Sequence, residues 1–250
     1  MRRLLFEIAY AGRRYHGYQV QQNAVTVAET LQDAIETAFK KRENITGCSR
    51  TDAGVHARQY FFHMDTESRI PEAAAVIALN NLLPDDICVK SCREVPADFH
   101  ARYSVCWKEY QYRIWDGAVK EPFLEGLAAR FKYPLDAALM DCCAQEFLGR
   151  HDFSAFRSTG SKEGSAVRAI YAASVRRQGD EVLFTVAGDG FLYNMVRIMA
   201  GTLAAPPGRL APGVIARALA AGSRESAGVT APPEGLYLNR VSYAPWEGAG

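Results

Sequence analysis

The order of apolar and polar positions lays out most of the elements. Residues 3–11 (RLLFEIAYA) form a mostly apolar run broken by single polar residues and predict a strand. A Gly-punctuated loop rich in aromatic and basic residues, GRRYHGYQVQQN, follows it. Thr26-Val-Ala-Glu29 is a capping box. Val27, Leu31, Ile35 and Phe39 then recur every fourth residue, which predicts a helix with one apolar stripe. Lys40-Lys41-Arg42 stands where that helix should end, with cations at the negative end of its dipole. A short strand over Ile45–Cys48 leads into SRTDAGVHA, and Gln59–Asp65 predicts another strand. A second helix is expected after Pro71, running to about Leu82, and Ile87–Val95 is expected as a strand.

The second half repeats this mixture. Residues 103–115 predict a strand, with Tyr110, Tyr112 and Ile114 on one face and Glu109, Gln111, Arg113 and Trp115 on the other. Asp136–Leu148, Phe191–Leu203 and Val214–Ala221 carry helical patterns, the last two separated by Pro206-Pro207-Gly208. Val167–Arg176 and Val182–Ala187 predict a hairpin around Gln-Gly-Asp-Glu, and Leu236–Tyr243 predicts a closing strand. Strands and helices mix without a strict βαβ rhythm. The expected class is therefore α+β, with an antiparallel or mixed sheet in two similar halves, residues 1–102 and 103–250.

Composition narrows the class. A chain of 250 residues with 48% hydrophobic and 23% charged residues is ordinary globular material, which excludes wholesale disorder, collagen and coiled coil. Charges interrupt every apolar run before it reaches membrane-spanning length. Glu7 breaks the first apolar run and no small-residue cleavage site follows, so the N-terminus reads as a strand rather than a signal peptide, and the expected location is cytoplasmic. The net charge of +1 counts against a strongly basic nucleic-acid binder. The distribution is uneven, however: residues 1–60 carry nine basic and six acidic side chains, and residues 151–250 carry ten and eight. The six cysteines form no CxxC pair and are expected as reduced, mostly buried thiols.

The chain contains no GxxxxGK[ST], HExxH or GxSxG, and Gly188-Asp-Gly190 lacks the rest of a dinucleotide fingerprint. The segment Gly47-Cys-Ser-Arg-Thr-Asp-Ala-Gly-Val-His-Ala57 stands out. Read as structure, Thr-Asp-Ala-Gly is turn chemistry, and an Asx turn alone accounts for Asp52. Read as function, Asp52 is a carboxylate at a strand end, beside Arg50, with small neighbours that let a bulky ligand approach. Asp52, His56 and His63 also admit a metal reading, against which solvated or structural histidines weigh more.

The string RTDAGVHA (Arg50–Ala57) resembles the central motif of the tRNA pseudouridine synthase A family. Tyr15-His-Gly-Tyr-Gln19, Asn80–Pro84, Asp98-Phe-His-Ala-Arg102, Lys108-Glu-Tyr-Gln-Tyr112, Asp152-Phe-Ser-Ala-Phe156 and Val167-Arg168 match the family's further motifs in order. So do Phe191-Leu-Tyr-Asn-Met-Val-Arg197, Gly201-Thr-Leu203 and Ala231-Pro-Pro-Glu-Gly-Leu-Tyr-Leu238, so the resemblance spans almost the whole chain. Ser49 stands where the family has Gly, Tyr18 where it has Trp, Ala11 where it has Asp and Ala166 where it has Thr.

The resemblance implies a pseudouridine synthase fold: two α+β halves with a joined sheet and a central cleft. It also implies a homodimer, and isomerisation of uridine to pseudouridine at positions 38 to 40 of the tRNA anticodon stem-loop. That isomerisation needs no cofactor and no metal. Asp52 would be the nucleophile, or would abstract a proton; Tyr110 would stack on the uracil or take a proton through its hydroxyl; Arg50 would help displace the target base or hold its place; and Leu238 would belong to the substrate-binding set. On pattern alone, Tyr110 also fits a core aromatic beside Tyr112. Arg197 falls seven residues into an apolar helical stretch and needs a partner. The resemblance implies that the partner is Asp52, and Arg197→Leu is then expected to cost activity but little stability. Arg13, Arg14 and the Lys40–Arg42 run are candidates for phosphate contacts or simply a solvated face. The rival readings are a pure RNA-binding module of RRM-like fold without catalysis, a non-catalytic RNA-binding paralogue of the same fold, and a metal-dependent hydrolase using Asp52, His56 and His63.

Overall fold

The computed structural model describes residues 1–160 and 164–248. Among them the chain forms, in order, β1 (Arg2–Tyr10), α1 (Val27–Phe39), β2 (Ile45–Gly47), β3 (His56–Thr66), α2 (Glu72–Asn80), β4 (Ile87–Val95), β5 (Trp107–Trp115), β6 (Ala129–Arg130), α3 (Ala137–Ala144), β7 (Gly149–Asp152), β8 (Val167–Gln178), β9 (Glu181–Gly188), α4 (Met195–Leu203), α5 (Val214–Ala221) and β10 (Leu236–Ser242). This is an α+β chain in two compact units. The first comprises Met1–Cys106 with Leu238–Tyr243, and so takes its last strand from the far end of the chain. The second comprises Trp107–Tyr237 and the residues after Tyr243.

In the first unit the strand order is β4-β1-β3-β10, with β2 paired to β3. β1 is antiparallel to both β3 and β4. As a central strand it buries Leu4, Leu5 and Phe6 in succession, and Phe6 stacks on Phe62 of β3 with centroids 4.9 Å apart. The stripe of α1 is buried at Val27, Leu31, Ile35 and Phe39. Each such side chain contributes roughly 1.5–3 kcal/mol of burial, and Leu31→Ala would cost about 2–5 kcal/mol. Thr26 caps α1 by accepting from the Glu29 amide at 3.3 Å. Lys40 closes it in the left-handed conformation, φ 58°. Arg42 is exposed, with its charge shared between two carboxylates of α1. Its guanidinium folds back on the helix, 2.5 Å from Asp33 and 3.1 Å from Glu36.

α2 ends at Asn80, whose side-chain amide donates to Val89 O and whose oxygen accepts from Val89 N, both at 2.8 Å. Within the NNLLP stretch, this asparagine acts as one more rung of a ladder for β4.

In the second unit the order is β5-β9-β8-β7, antiparallel throughout, and the two-residue β6 lies parallel to β5, which makes the sheet mixed. The β8–β9 hairpin turns on Gly179-Asp180, where Gly179 has φ 61°. Tyr110, Tyr112 and Ile114 are all buried on one face of β5, as the alternation predicts. Three expectations shift. The strand expected from residue 103 begins at Trp107, because residues 101–104 turn, with the Ser104 amide donating to His100 O at 2.9 Å. The helix expected from Phe191 begins at Met195, after Asn194 enters the left-handed region at φ 59°. Of the six free cysteines only Cys48 and Cys143 are buried, while Cys88 and Cys142 are exposed because they lie on outward positions of β4 and α3.

Candidate active site

The first unit holds the Asp52 turn. It connects β2 to β3, and the Val55 amide donates to Asp52 O at 3.2 Å to close it. Asp52 is half-buried, Arg50 is exposed and Thr51 is buried. The aromatic and basic loop after β1 packs directly against this turn. Tyr18 N donates to Thr51 O at 3.2 Å, and Gly54 N donates to Tyr15 O at 3.1 Å. The approach is so close that two glycines are required. A Cβ on Gly12 would lie 1.9 Å from Val55 O, and one on Gly17, at φ +90°, would lie 2.7 Å from Thr51 O. The same loop is anchored by Asp86. Its carbonyl accepts from Ala11 N at 2.9 Å, its Oδ1 accepts from the Tyr15 hydroxyl at 2.6 Å, and its Oδ2 lies 3.5 Å from the Arg14 guanidinium. Burial first, and then this carboxylate, push the Tyr15 phenol far above its ordinary pKa.

The histidines of the metal reading are otherwise occupied. His56 Nδ1 accepts from the Gly12 amide at 3.0 Å, and His63 Nδ1 accepts from the Ala101 amide at 3.1 Å. A ring nitrogen that accepts a backbone N–H carries no proton, so each hydrogen resides on Nε2. Among the described residues no group of three or more His, Cys, Asp or Glu side chains could hold a metal ion.

The second unit holds Tyr110 and Arg197. Tyr110 is buried on β5, opposite Val186 of β9, and Phe191 meets its ring edge-on with centroids 5.0 Å apart. Arg197 is the third residue of α4 rather than the seventh of a longer helix. Its Nε donates to Ala231 O at 2.8 Å and its Nη1 donates to Asn194 Oδ1 at 2.7 Å, while Ala231 N donates to Arg197 O at 3.1 Å. Arg197 therefore ties the Ala231-Pro-Pro segment to the helix start. Its removal would cost stability, contrary to the expectation from sequence. The cation also sits in a first turn that holds no acidic residue, where the helix dipole is itself positive. The two together make an anion-attracting helix end. Leu238, in β10, is fully buried. Tyr10 and Tyr60, which also touch the Asp52 turn, carry no signal in the sequence beyond their place in apolar strands.

Comparison with known proteins gives this arrangement its class. The family model described as tRNA pseudouridine synthase matches residues 8–104 and 143–244, taking in both the Asp52 turn and the Arg197 helix. The chain belongs to the tRNA pseudouridine synthase family. It is 43% identical over 245 residues to a tRNA pseudouridine synthase A from Ruminiclostridium cellulolyticum, an alignment covering 97% of this chain and 100% of that protein. It is 45% identical over 244 residues to the protein of the same description from Exiguobacterium sibiricum, covering 97% of each. A solved structure described as a Cbf5-Nop10-Gar1 complex aligns over 94% of this chain and 57% of its own, with a TM-score of 0.37 and 12% identity.

Proposed function

We propose that this chain isomerises uridine to pseudouridine in the anticodon stem-loop of tRNA, at positions 38 to 40, with Asp52 as its nucleophile. Isomerisation of a tRNA uridine is the activity of its family and of relatives aligned over nearly all of both chains. The observation that carries the assignment to Asp52 is the build of its turn. A half-buried carboxylate stands on a backbone held by hydrogen bonds to Thr51, Gly54 and Val55 and by two glycine approaches that admit no side chain. Such a group is held in place without being shut away from a ligand.

In this reading the ionised carboxylate of Asp52 attacks the target nucleotide and the N1–C1′ bond breaks. The uracil turns and C5 bonds to C1′ while the bond to Asp52 breaks and returns its carboxylate; the hydrogen on C5 leaves as a proton and N1 takes one up. Electrons balance without an oxidant, so the chemistry calls for no cofactor or metal. Tyr110, its ring steadied by Phe191, stacks on the detached uracil. Arg197 is the candidate cation for keeping the Asp52 carboxylate ionised, as the family resemblance implies. Exposed Arg50 helps move the base out of its stack, which a residue inside a stem requires. Leu238 has no exposed surface, so its share in substrate binding is as packing. The enzyme works as a cytoplasmic homodimer: a subunit of net charge +1 has few cations to spare for phosphates, and two subunits pool them. Among the described residues no helix is long and apolar enough to cross a membrane.

The test is Asp52→Ala with C5-tritiated tRNA transcript. Tritium release should fall to the assay floor, beyond the about 10²–10⁴-fold that acid–base assistance alone is worth. Filter binding of tRNA should stay near wild type, because phosphates and shape supply most affinity. Equal turnover in wild type and variant would reduce Asp52 to a turn residue. Bound tRNA without turnover in either protein would mark a binding paralogue.

A further inference from the structure

Two buried phenols flank the Asp52 turn and touch its backbone or its neighbours without reaching solvent. Tyr60, on β3, is fully buried. Its hydroxyl donates to Ser49 O and accepts from Ser49 N at 3.4 Å, so it takes both polar groups of that residue's main chain. Tyr10, at the end of β1, is buried as well, and its hydroxyl shares a 2.7 Å hydrogen bond with Thr51 Oγ1. Residues 49 and 51, on either side of Arg50 and just before Asp52, are thus each held by a phenol. The rings are themselves braced. Tyr18 stacks on Tyr60 with centroids 4.4 Å apart, and Tyr10 lies tilted against Tyr60 at 5.6 Å. The space is filled so closely that a Cβ on Gly47 would come within 2.1 Å of the Tyr60 hydroxyl.

We infer that Tyr10 and Tyr60 are positioning residues for the isomerisation, their hydroxyls setting where the Asp52 carboxylate and the Arg50 side chain point. The inference rests on the reading of Asp52 as nucleophile. Neither phenol touches substrate, since both are buried; they act through the Ser49–Thr51 backbone. Burial raises the Tyr60 phenol well above its ordinary pKa, so it remains a neutral donor throughout the working range. A reacting group displaced by about 1 Å loses on the order of 10²-fold in rate. Loss of one tether should therefore appear in turnover and leave tRNA affinity, which is set elsewhere, unchanged.

Tyr60→Phe and Tyr10→Phe keep the ring stack and delete only the hydroxyls. Single-turnover tritium release, filter-binding Kd and Tm are measured on each, and on Thr51→Val. The expected result is a fall in rate of about tenfold or more with Kd within about twofold of wild type. The Tyr10→Phe/Thr51→Val double variant should be no slower than the slower single variant, because both changes break the same bond. If Tyr60→Phe fails to fold, the Tyr10–Thr51 cycle decides alone. A wild-type rate in the variants, additive losses in the cycle, or equal losses of rate and affinity would overturn the inference. Asp52→Asn run in parallel separates the two failures. Turnover by Asp52→Asn removes the nucleophile reading and this inference with it. A dead Asp52→Asn beside fully active phenylalanine variants removes the positioning role alone.

Discussion

Gly17→Ala perturbs the Asp52 turn from outside it, and its consequences can be worked out from the structure. Gly17 has φ +90°, where an L-residue pays about 1–2 kcal/mol or more for the left-handed conformation. The added methyl would also stand 2.7 Å from Thr51 O and 3.3 Å from the carbonyl carbon of Asp52. Both neighbours are backbone, so relief requires the turn itself to shift by several tenths of an ångström. The Tyr18 N to Thr51 O hydrogen bond, at 3.2 Å, is strained with it. Strain and a weakened hydrogen bond together amount to about 2–3 kcal/mol, a fall in Tm of roughly 4–12 °C for a chain of this size. The displaced carboxylate should lower single-turnover tritium release by about ten- to a hundredfold. The assay is run well below the variant's Tm, with tRNA binding measured on the same preparation. A variant with wild-type rate and unchanged Tm would refute the claim that loop and turn are locked together at this glycine. A lowered Tm with wild-type rate would refute only the link to Asp52.

Other consequences follow from the same contacts. Arg197→Leu should lower turnover sharply and also cost about 1–3 kcal/mol of stability, since Ala231 O and Asn194 Oδ1 lose their donor; a melting curve identical to wild type would contradict the tether. Burial first, with Arg3 and His100 adding to it, lowers the His63 pKa from 6.5 to about 4. Its unfolded form therefore binds a proton that the folded form refuses, and stability complete above pH 6.5 is lost as pH falls toward 4, by up to about 3 kcal/mol. Chemical melts over that range should show a shallower acid loss in His63→Asn, and parallel curves would remove His63 as the cause. Turnover should survive EDTA at a magnesium level that keeps the tRNA folded; loss that only a bound transition metal restores would contradict the cofactor-free mechanism.

The fold was most legible where one strong local signal met no tertiary conflict. The capping box and fourfold spacing place α1 within a residue of its observed ends, and the apolar run of β4 matches over Ile87–Val95. β7 could not be read, because Gly149–Asp152 is polar and largely exposed; it becomes a strand only because β8 offers it a free edge. The start of α4 is obscured in the sequence for the opposite reason. Phe191 and Leu192 fit the helical spacing, yet Phe191 is committed to Tyr110 and Asn194 turns the chain left-handed before the helix begins. The seven-residue depth inferred for Arg197 fails with that boundary, and its hydrogen bonds to Ala231 O and Asn194 Oδ1 argue against the small stability cost expected for Arg197→Leu.

The candidate site divides along a similar line. Asp52 and Arg50 lie in one short string whose small neighbours and turn chemistry mark it locally. The residues that hold the string come from β1, β3 and the loop after β1, and their role exists only once the strands are in register. Tyr60 and Tyr112 show why pattern cannot separate them. Both are fully buried strand tyrosines, Tyr60 within the buried run of β3 and Tyr112 on the inward face of β5. The Tyr112 hydroxyl donates to Pro232 O at 2.7 Å and orders the approach to β10, whereas the Tyr60 hydroxyl holds Ser49. Each must satisfy a buried hydroxyl, and the rule that it must do so is the same for both. What differs is which backbone it meets, and that is decided by the fold. A buried polar tip in an otherwise apolar strand therefore points to a fixed segment somewhere in the chain, and only the structure says whether that segment carries the chemistry.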